Sequence, residues 1–341
     1  MSSMLVDGDT IRLLGQPSML WVRGSAPEYL AGVAIDPHGN ASPIRVPLSS
    51  TDTSIARFVP YVATSDGVAA LVLAPPTRGA GQSTTDTSGV LVSVPGNVRA
   101  RRRHEIVPLA SFQWRRFTTA VSSGRAAEHV LAVVPVRRWG VPDAIQVIQY
   151  REGGDVSVDT LRVKDSSLRL GGMLAVSHSA STALVATIGY DMNNGNTHVL
   201  VSMRHSMGAW EPLTVVNGTD GVHFVATAVR GDRAALAWRA SAQGGSSGDV
   251  LGMGWSGPEA GAWVMQQTAE AVHGNVTVAV LHDSTLVASA WSRTGDSLVV
   301  VASGASSLAV WRLGPSAAIG QVSLHPMRNG SLRVIINSAT I

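Results

Sequence analysis

Residues 276–313 read Val-Thr-Val-Ala-Val-Leu-His-Asp-Ser-Thr-Leu-Val-Ala-Ser-Ala-Trp-Ser-Arg-Thr-Gly-Asp-Ser-Leu-Val-Val-Val-Ala-Ser-Gly-Ala-Ser-Ser-Leu-Ala-Val-Trp-Arg-Leu. Four short runs of Val, Leu and Ala are parted by His-Asp-Ser, Arg-Thr-Gly-Asp and Ser-Gly-Ala-Ser. β-branched and aliphatic runs of this length, punctuated by Gly, Asp and Ser, are strands joined by tight turns. They are labelled A to D here. The unit recurs, and a recurring unit of this size constrains the fold more than any other feature of the chain.

The clearest copies lie in the second half. Gly172–Ser179, Ala183–Tyr190, His198–Arg204 and Trp210–Val216 form one; Val222–Arg230, Ala234–Arg239, Val250–Trp255 and Ala262–Thr268 form the next. Two looser copies precede them. One runs through Phe58–Thr64, Ala69–Ala74, Val90–Val94 and Glu105–Leu109, with a long Gly/Ser/Thr loop at Pro75–Gly89; the other through Phe117–Ser122, His129–Val136, Ala144–Tyr150 and Val158–Val163. The first residues supply Thr10–Leu14, Met19–Arg23, Tyr29–Ile35 and Ile44–Leu48, and the last supply Val322–Pro326 and Leu332–Asn337. No segment keeps a helical apolar period over ten residues.

Such a series resembles the blades of a β-propeller. The expectation is an all-β chain forming a single propeller over 1–341, with seven blades, or six if Thr10–Leu14 is not a strand of its own. Strands from both ends would close the ring, with Met4–Val6 as the missing outer strand of the last blade. WD and kelch signatures are absent in register. Arg45-Val46-Pro47 and Arg57-Phe58-Val59-Pro60 resemble the Arg-Ile-Pro of sialidase-type propellers, but Ser202–Trp210 and Ser256–Trp263 lack the aspartate that the family's boxes require.

Composition narrows the chemistry. With 45% hydrophobic and 14% charged residues the chain is globular. The absence of cysteine excludes disulfides, thiolate nucleophiles and Cys-ligated metals. No apolar run reaches the ~20 residues of a spanning helix, and the start lacks a secretion signal, so the chain is expected in the compartment of its synthesis or in a virus particle. No metalloprotease, nucleophile-elbow or phosphate-loop motif occurs. No cofactor or metal is expected.

Three constellations stand out. Aromatic and charged residues recur at the end of strand B: Trp21 with Arg23, Tyr190 with Asp191, Trp238 with Arg239, and Trp291 with Arg293. Either they offer a stacking face beside a guanidinium fork, as a sugar or extended peptide needs, or the tryptophans pack between blades. His178, Arg230, His282 and His325 close strand A in four units, as a basic ring at the other mouth or as plain polar strand ends. Arg99, Arg101, Arg102, Arg103, Arg115, Arg116, Arg125, Arg137 and Arg138 face only Glu105 and Glu128 in their stretch, a candidate surface for a polyanion. Sequence-specific nucleic-acid reading is not indicated.

These features point to a non-enzymatic binding or assembly module that recognises a protein or glycan, such as a structural subunit of a virion or phage tail. The alternative is a sialidase-like glycoside hydrolase or a lectin, which would need two carboxyl groups ~5–9.5 Å apart across a pocket.

Overall fold

The alternation read from the sequence is realised as antiparallel meanders in a computed structural model. It describes residues 2–7, 10–15, 29–35, 38, 40–47, 61–64, 67–74, 88–95, 102–105, 119–123, 128–133, 144–151, 156–206, 208–242, 248–256, 262–303, 308–314, 321–327 and 329–337, with side chains chiefly from Ala144 onward. All regular structure among them is β. The chain divides into two compact units, Met1–Thr160 and Leu161–Ile341.

In the first unit, β1 (Ser2–Asp7), β2 (Thr10–Gly15), β3 (Tyr29–Ile35) and β4 (Ala41–Pro47) form one sheet in chain order. A second holds β5 (Tyr61–Thr64), β6 (Gly67–Ala74), β7 (Ser88–Pro95) and β8 (Arg102–Glu105). The third holds β9 (Thr119–Ser123), β10 (Glu128–Val133), β11 (Ala144–Arg151) and β12 (Val156–Arg162), whose last residues pass the division between the units.

The second unit continues with β13 (Leu168–His178), β14 (Thr182–Asp191), β15 (Thr197–His205) and β16 (Thr214–Val215). A seven-stranded sheet follows: β17 (Val222–Arg230), β18 (Arg233–Ser241), β19 (Asp249–Ser256), β20 (Trp263–Val280), β21 (Leu286–Ser292), β22 (Leu298–Ser303) and β23 (Leu308–Leu313). Finally β24 (Gln321–Pro326) pairs with β25 (Leu332–Asn337).

Two strand assignments differ from the expectation. β1 pairs with β2, Asp7 opposite Thr10, so the strand expected to complete the last sheet belongs to the first. A two-residue Gly-Asp connection is a strong hairpin signal and competes locally against any long-range closure. Among the described residues, β24 and β25 pair only with each other. Met19–Arg23 lies outside the described residues.

The second difference is β20. Its 18 residues merge the expected strand D of one meander with strand A of the next. Residues up to Val272 pair with β19, residues from Val272 onward pair with β21, and the β21 ladder shifts register between His273 and Thr277. Gly274 sits at φ 74°, a left-handed conformation that a glycine bulge uses to redirect a strand without ending it. The seven-stranded sheet is therefore two four-stranded meanders, called here the fifth and sixth, that share one strand.

Face-to-face packing holds the second unit. One apolar layer joins Leu184, Val199 and Val201 of the fourth sheet to Val225, Leu236 and Trp238 of the fifth meander. A second joins Ala235, Leu251 and Met253 to Val278, Leu286 and Val299 of the sixth. A third sets Val287, Trp291 and Val300 against Leu324. Each middle strand is thus covered on both faces, which explains why β21 is buried along its whole length. Ser177 Oγ donates to the Thr227 carbonyl at 2.8 Å and ties the innermost strands together.

Candidate functional site

In an antiparallel meander, the B–C turn and the D-to-A passage lie at the same end. At that end, β17 begins with Val222 and His223, β18 closes near Arg239 and Ser241, β19 opens at Asp249, and β20 passes through His273 and Gly274. Four strands thus deliver charged and hydrogen-bonding groups to one place.

Arg239 is the organising side chain. Its Nε lies 2.9 Å from Asp249 Oδ2, an ion-pair contact without the alignment of a hydrogen bond, and Nη1 donates to the Gly274 carbonyl at 2.5 Å. Asp249 Oδ1 lies 4.0 Å from His223 Nε2, which is 2.8 Å from Ser241 Oγ. Serine, histidine and aspartate meet here, but both contacts fall on the same ring nitrogen. A nucleophilic triad needs the carboxylate on the other nitrogen, so this is a polar cradle. His273 donates from Nδ1 to the Ser292 carbonyl at 2.5 Å, which leaves Nε2 as an acceptor. Arg293 arches over Gly248: a Cβ built there would lie 3.8 Å from Nη1.

The neighbouring B–C turn is built on Asp296, whose carboxylate accepts from Ser292 and Thr294 at 2.7 Å and Ser297 at 3.0 Å. The Thr294, Ser292 and Ser297 hydroxyls hold its pKa down at about 2. In the fourth sheet the same end carries Tyr190, 42% exposed, whose hydroxyl lies over Gly195, and Asp191, which accepts from the Asn193 amide. His198 Nδ1 pairs with Asp220 at 3.2 Å beside them.

The strand-B residues singled out from the sequence therefore divide. Tyr190, Asp191, Arg239 and Arg293 lie at one end of successive sheets. Trp238 and Trp291 do not serve as stacking faces: they are 2% and 1% exposed, in the apolar layers between sheets. A middle strand has no free face to give, so the tryptophan near its end is sealed while the arginine beyond it reaches the rim. Trp21 and Arg23 lie outside the described residues. Of the basic stretch, Arg102 and Arg103 fall in β8, whose backbone alone is described; Arg99, Arg101, Arg115, Arg116, Arg125, Arg137 and Arg138 lie outside the described residues.

The arginine–tryptophan contacts are elsewhere. Arg204 stacks on Trp210 at 5.5 Å and Arg233 on Trp255 at 5.6 Å. Of the four strand-A basic residues, Arg230 and His282 meet, while His178 and His325 are buried. Sequence reading missed His223, Asp249 and His273. They come from strands A, C and D, and only the pairing of those strands with β18 brings them to Arg239.

Among the described residues, no group of three or more His, Cys, Asp or Glu side chains is placed to hold a metal ion.

No family model matches the chain, and no curated protein matches it in sequence. Solved structures do. The polysaccharide lyase Uly1 is 10% identical at a TM-score of 0.52, over 98% of this chain and 85% of that one. The fold is propeller-like. A Hadza microbial sialidase aligns at 0.46 with 12% identity, over 91% of this chain and 71% of its own. The Trypanosoma rangeli sialidase aligns at 0.42 with 10% identity, over 90% and 55%.

Proposed function

We propose that this chain is a carbohydrate-active β-propeller of seven blades that engages an acidic glycan at the B–C end of the fifth and sixth meanders. The Arg239–Asp249–His223 cluster carries the reading. A planar guanidinium fixed by a carboxylate and a backbone carbonyl is a preorganised positive group, its remaining N–H bonds left for the carboxylate and hydroxyl groups of a sugar acid. Arg293 adds a second fork, and Tyr190 offers an exposed ring on the adjoining sheet for stacking.

Cleavage would require a proton acceptor beside the bound sugar. His273, with Nδ1 committed to the Ser292 carbonyl, keeps Nε2 for that role. Asp249, engaged with Arg239, is suited to orienting the site. The proton-transfer chemistry available is therefore that of histidine, which suits elimination next to a uronate better than a two-carboxyl hydrolysis.

The test is a panel of uronate-bearing, sialylated and neutral polysaccharides incubated with the purified chain. Ultraviolet absorbance of an unsaturated product and reducing-end release are both read, alongside binding by calorimetry. Binding of acidic members, weakened about tenfold or more by Arg293→Gln, is expected, with product lost in His273→Gln. Failure of every acidic glycan to bind would refute the reading. Binding without product would leave recognition alone, as in a lectin.

A further inference from the structure

Three Asn-Gly pairs occur in the chain, Asn194-Gly195, Asn217-Gly218 and Asn329-Gly330. All six residues are exposed between strands. In such a pair the side-chain amide of asparagine lies next to a backbone nitrogen that no side chain obstructs, since glycine has none and turns freely. The dipeptide therefore carries a latent cyclisation, and the hydrogen bonds around it decide whether the reacting groups can meet.

At two of the three pairs those groups are tied down. The Gly195 amide donates to the Asp191 carbonyl at 2.9 Å, and Asn194 Oδ1 accepts from the Asn196 amide at 2.8 Å. The Gly330 amide donates to the Met327 carbonyl at 3.2 Å, while Asn329 Oδ1 accepts from the Ser331 amide at 3.0 Å and from its hydroxyl at 2.6 Å. Asn217-Gly218 differs. Among the described residues neither the Gly218 amide nor the Asn217 side chain has a hydrogen-bond partner, and a Cβ at residue 218 would meet nothing within 4 Å.

The loop is held instead by the residues on either side. Val216 and Thr219 are both 1% exposed. Thr219 Oγ1 donates to the Val216 carbonyl at 2.6 Å and accepts from the Val199 amide at 2.9 Å. The peptide between residues 217 and 218 can turn without breaking either bond.

We propose that Asn217 is a modification site that deamidates by closing onto the Gly218 amide. The Gly218 nitrogen loses its proton to hydroxide and bonds to Cγ of Asn217; the bond from Cγ to Nδ2 breaks, ammonia leaves, and a cyclic imide forms. Water then opens either ring carbonyl and leaves an aspartyl or isoaspartyl residue at position 217. The balance is one water consumed and one ammonia released, so no oxidant or cofactor is needed. The new carboxylate lies in the loop joining the fourth sheet to the fifth meander, three residues before Asp220, the partner of His198. The reaction needs no bound ligand and stands apart from the glycan reading.

Incubation of the full chain in mildly alkaline buffer, with a parallel sample in concentrated urea, tests this. Mass spectrometry of peptides spanning the three pairs follows amide-to-acid conversion at each, and electron-transfer fragmentation identifies isoaspartate. In the folded chain conversion is expected first at residue 217, with residues 194 and 329 slower by about tenfold or more, because hydrogen bonds to both reacting groups must open there. In urea the three rates should converge, since the dipeptide is the same. Conversion at residue 194 or 329 that matches or outpaces residue 217 in the folded chain, or none at residue 217 while the urea sample reacts, overturns the proposal.

Discussion

The indole of Trp238 fills the space beside Gly252 on the adjacent strand, so closely that a Cβ at residue 252 would lie 2.2 Å from Cε2 of the ring. The tryptophan and the missing side chain are one packing unit. Gly252→Ala is expected to destabilise the chain by about 2–3 kcal/mol, the cost of overpacking a filled core. Trp238→Leu alone leaves a void. The double variant should be more stable than the sum of the two losses predicts, by 1 kcal/mol or so. Urea denaturation of the three variants checks it, and strict additivity would argue against the packing unit.

His325 couples stability to pH. It is 7% exposed, and burial first, then the charge of Arg333 opposite it in register, lowers its pKa from 6.5 to about 4. Between those values the unfolded chain takes up a proton that the folded chain refuses, so stability rises with pH. The contribution is complete above about pH 6.5 and is lost progressively toward pH 4, about 3 kcal/mol at most. Melting curves from pH 7.5 to 4.5 should show this slope flattened in His325→Leu. An identical slope in that variant would assign the effect elsewhere.

Asp296 should titrate near pH 2 because the hydroxyls of Thr294, Ser292 and Ser297 solvate its charged form. Removing one donor by Thr294→Val or Ser292→Ala should move the midpoint up toward 3.8, as followed by carboxyl carbon chemical shifts. A midpoint unmoved by both substitutions would mean that the turn is held by other contacts.

The Arg239–Asp249 pair is mostly withdrawn from solvent, with side chains 19% and 27% exposed. A double-mutant cycle with Arg239→Gln and Asp249→Asn should give a coupling of about 1–2 kcal/mol, above the usual value for an exposed pair. Coupling indistinguishable from zero would detach Asp249 from the site. Ionic strength should matter little, since the pair is shielded from counterions.

How much of this was readable beforehand depended on what each feature needed. The strands of residues 172–303 stand where alternation and turn residues place them, because both signals are local. Arg239 and Arg293 were legible for the same reason: they close strand B. The burial of Trp238 and Trp291 was left open, since sealing both faces of a strand depends on neighbours tens of residues away. Asp249, His223 and His273 carry no motif at all; cross-strand register alone gathers them. The merging of two strands into β20 was hidden because Gly274 reads as a turn and acts as a bulge.

That continuous strand has a consequence for how the chain comes apart. Where a loop separates two meanders, as at residues 216–221 between β16 and β17, no backbone ladder runs from one to the other, and side-chain packing with side-chain hydrogen bonds such as Ser177 Oγ to the Thr227 carbonyl opposes their separation. β20 offers no such seam: its first half cannot leave β19 without disturbing the hydrogen bonds its second half makes to β21. The fifth and sixth meanders therefore behave as a single cooperative block, and local opening events that elsewhere stop at a blade's edge must here cross it.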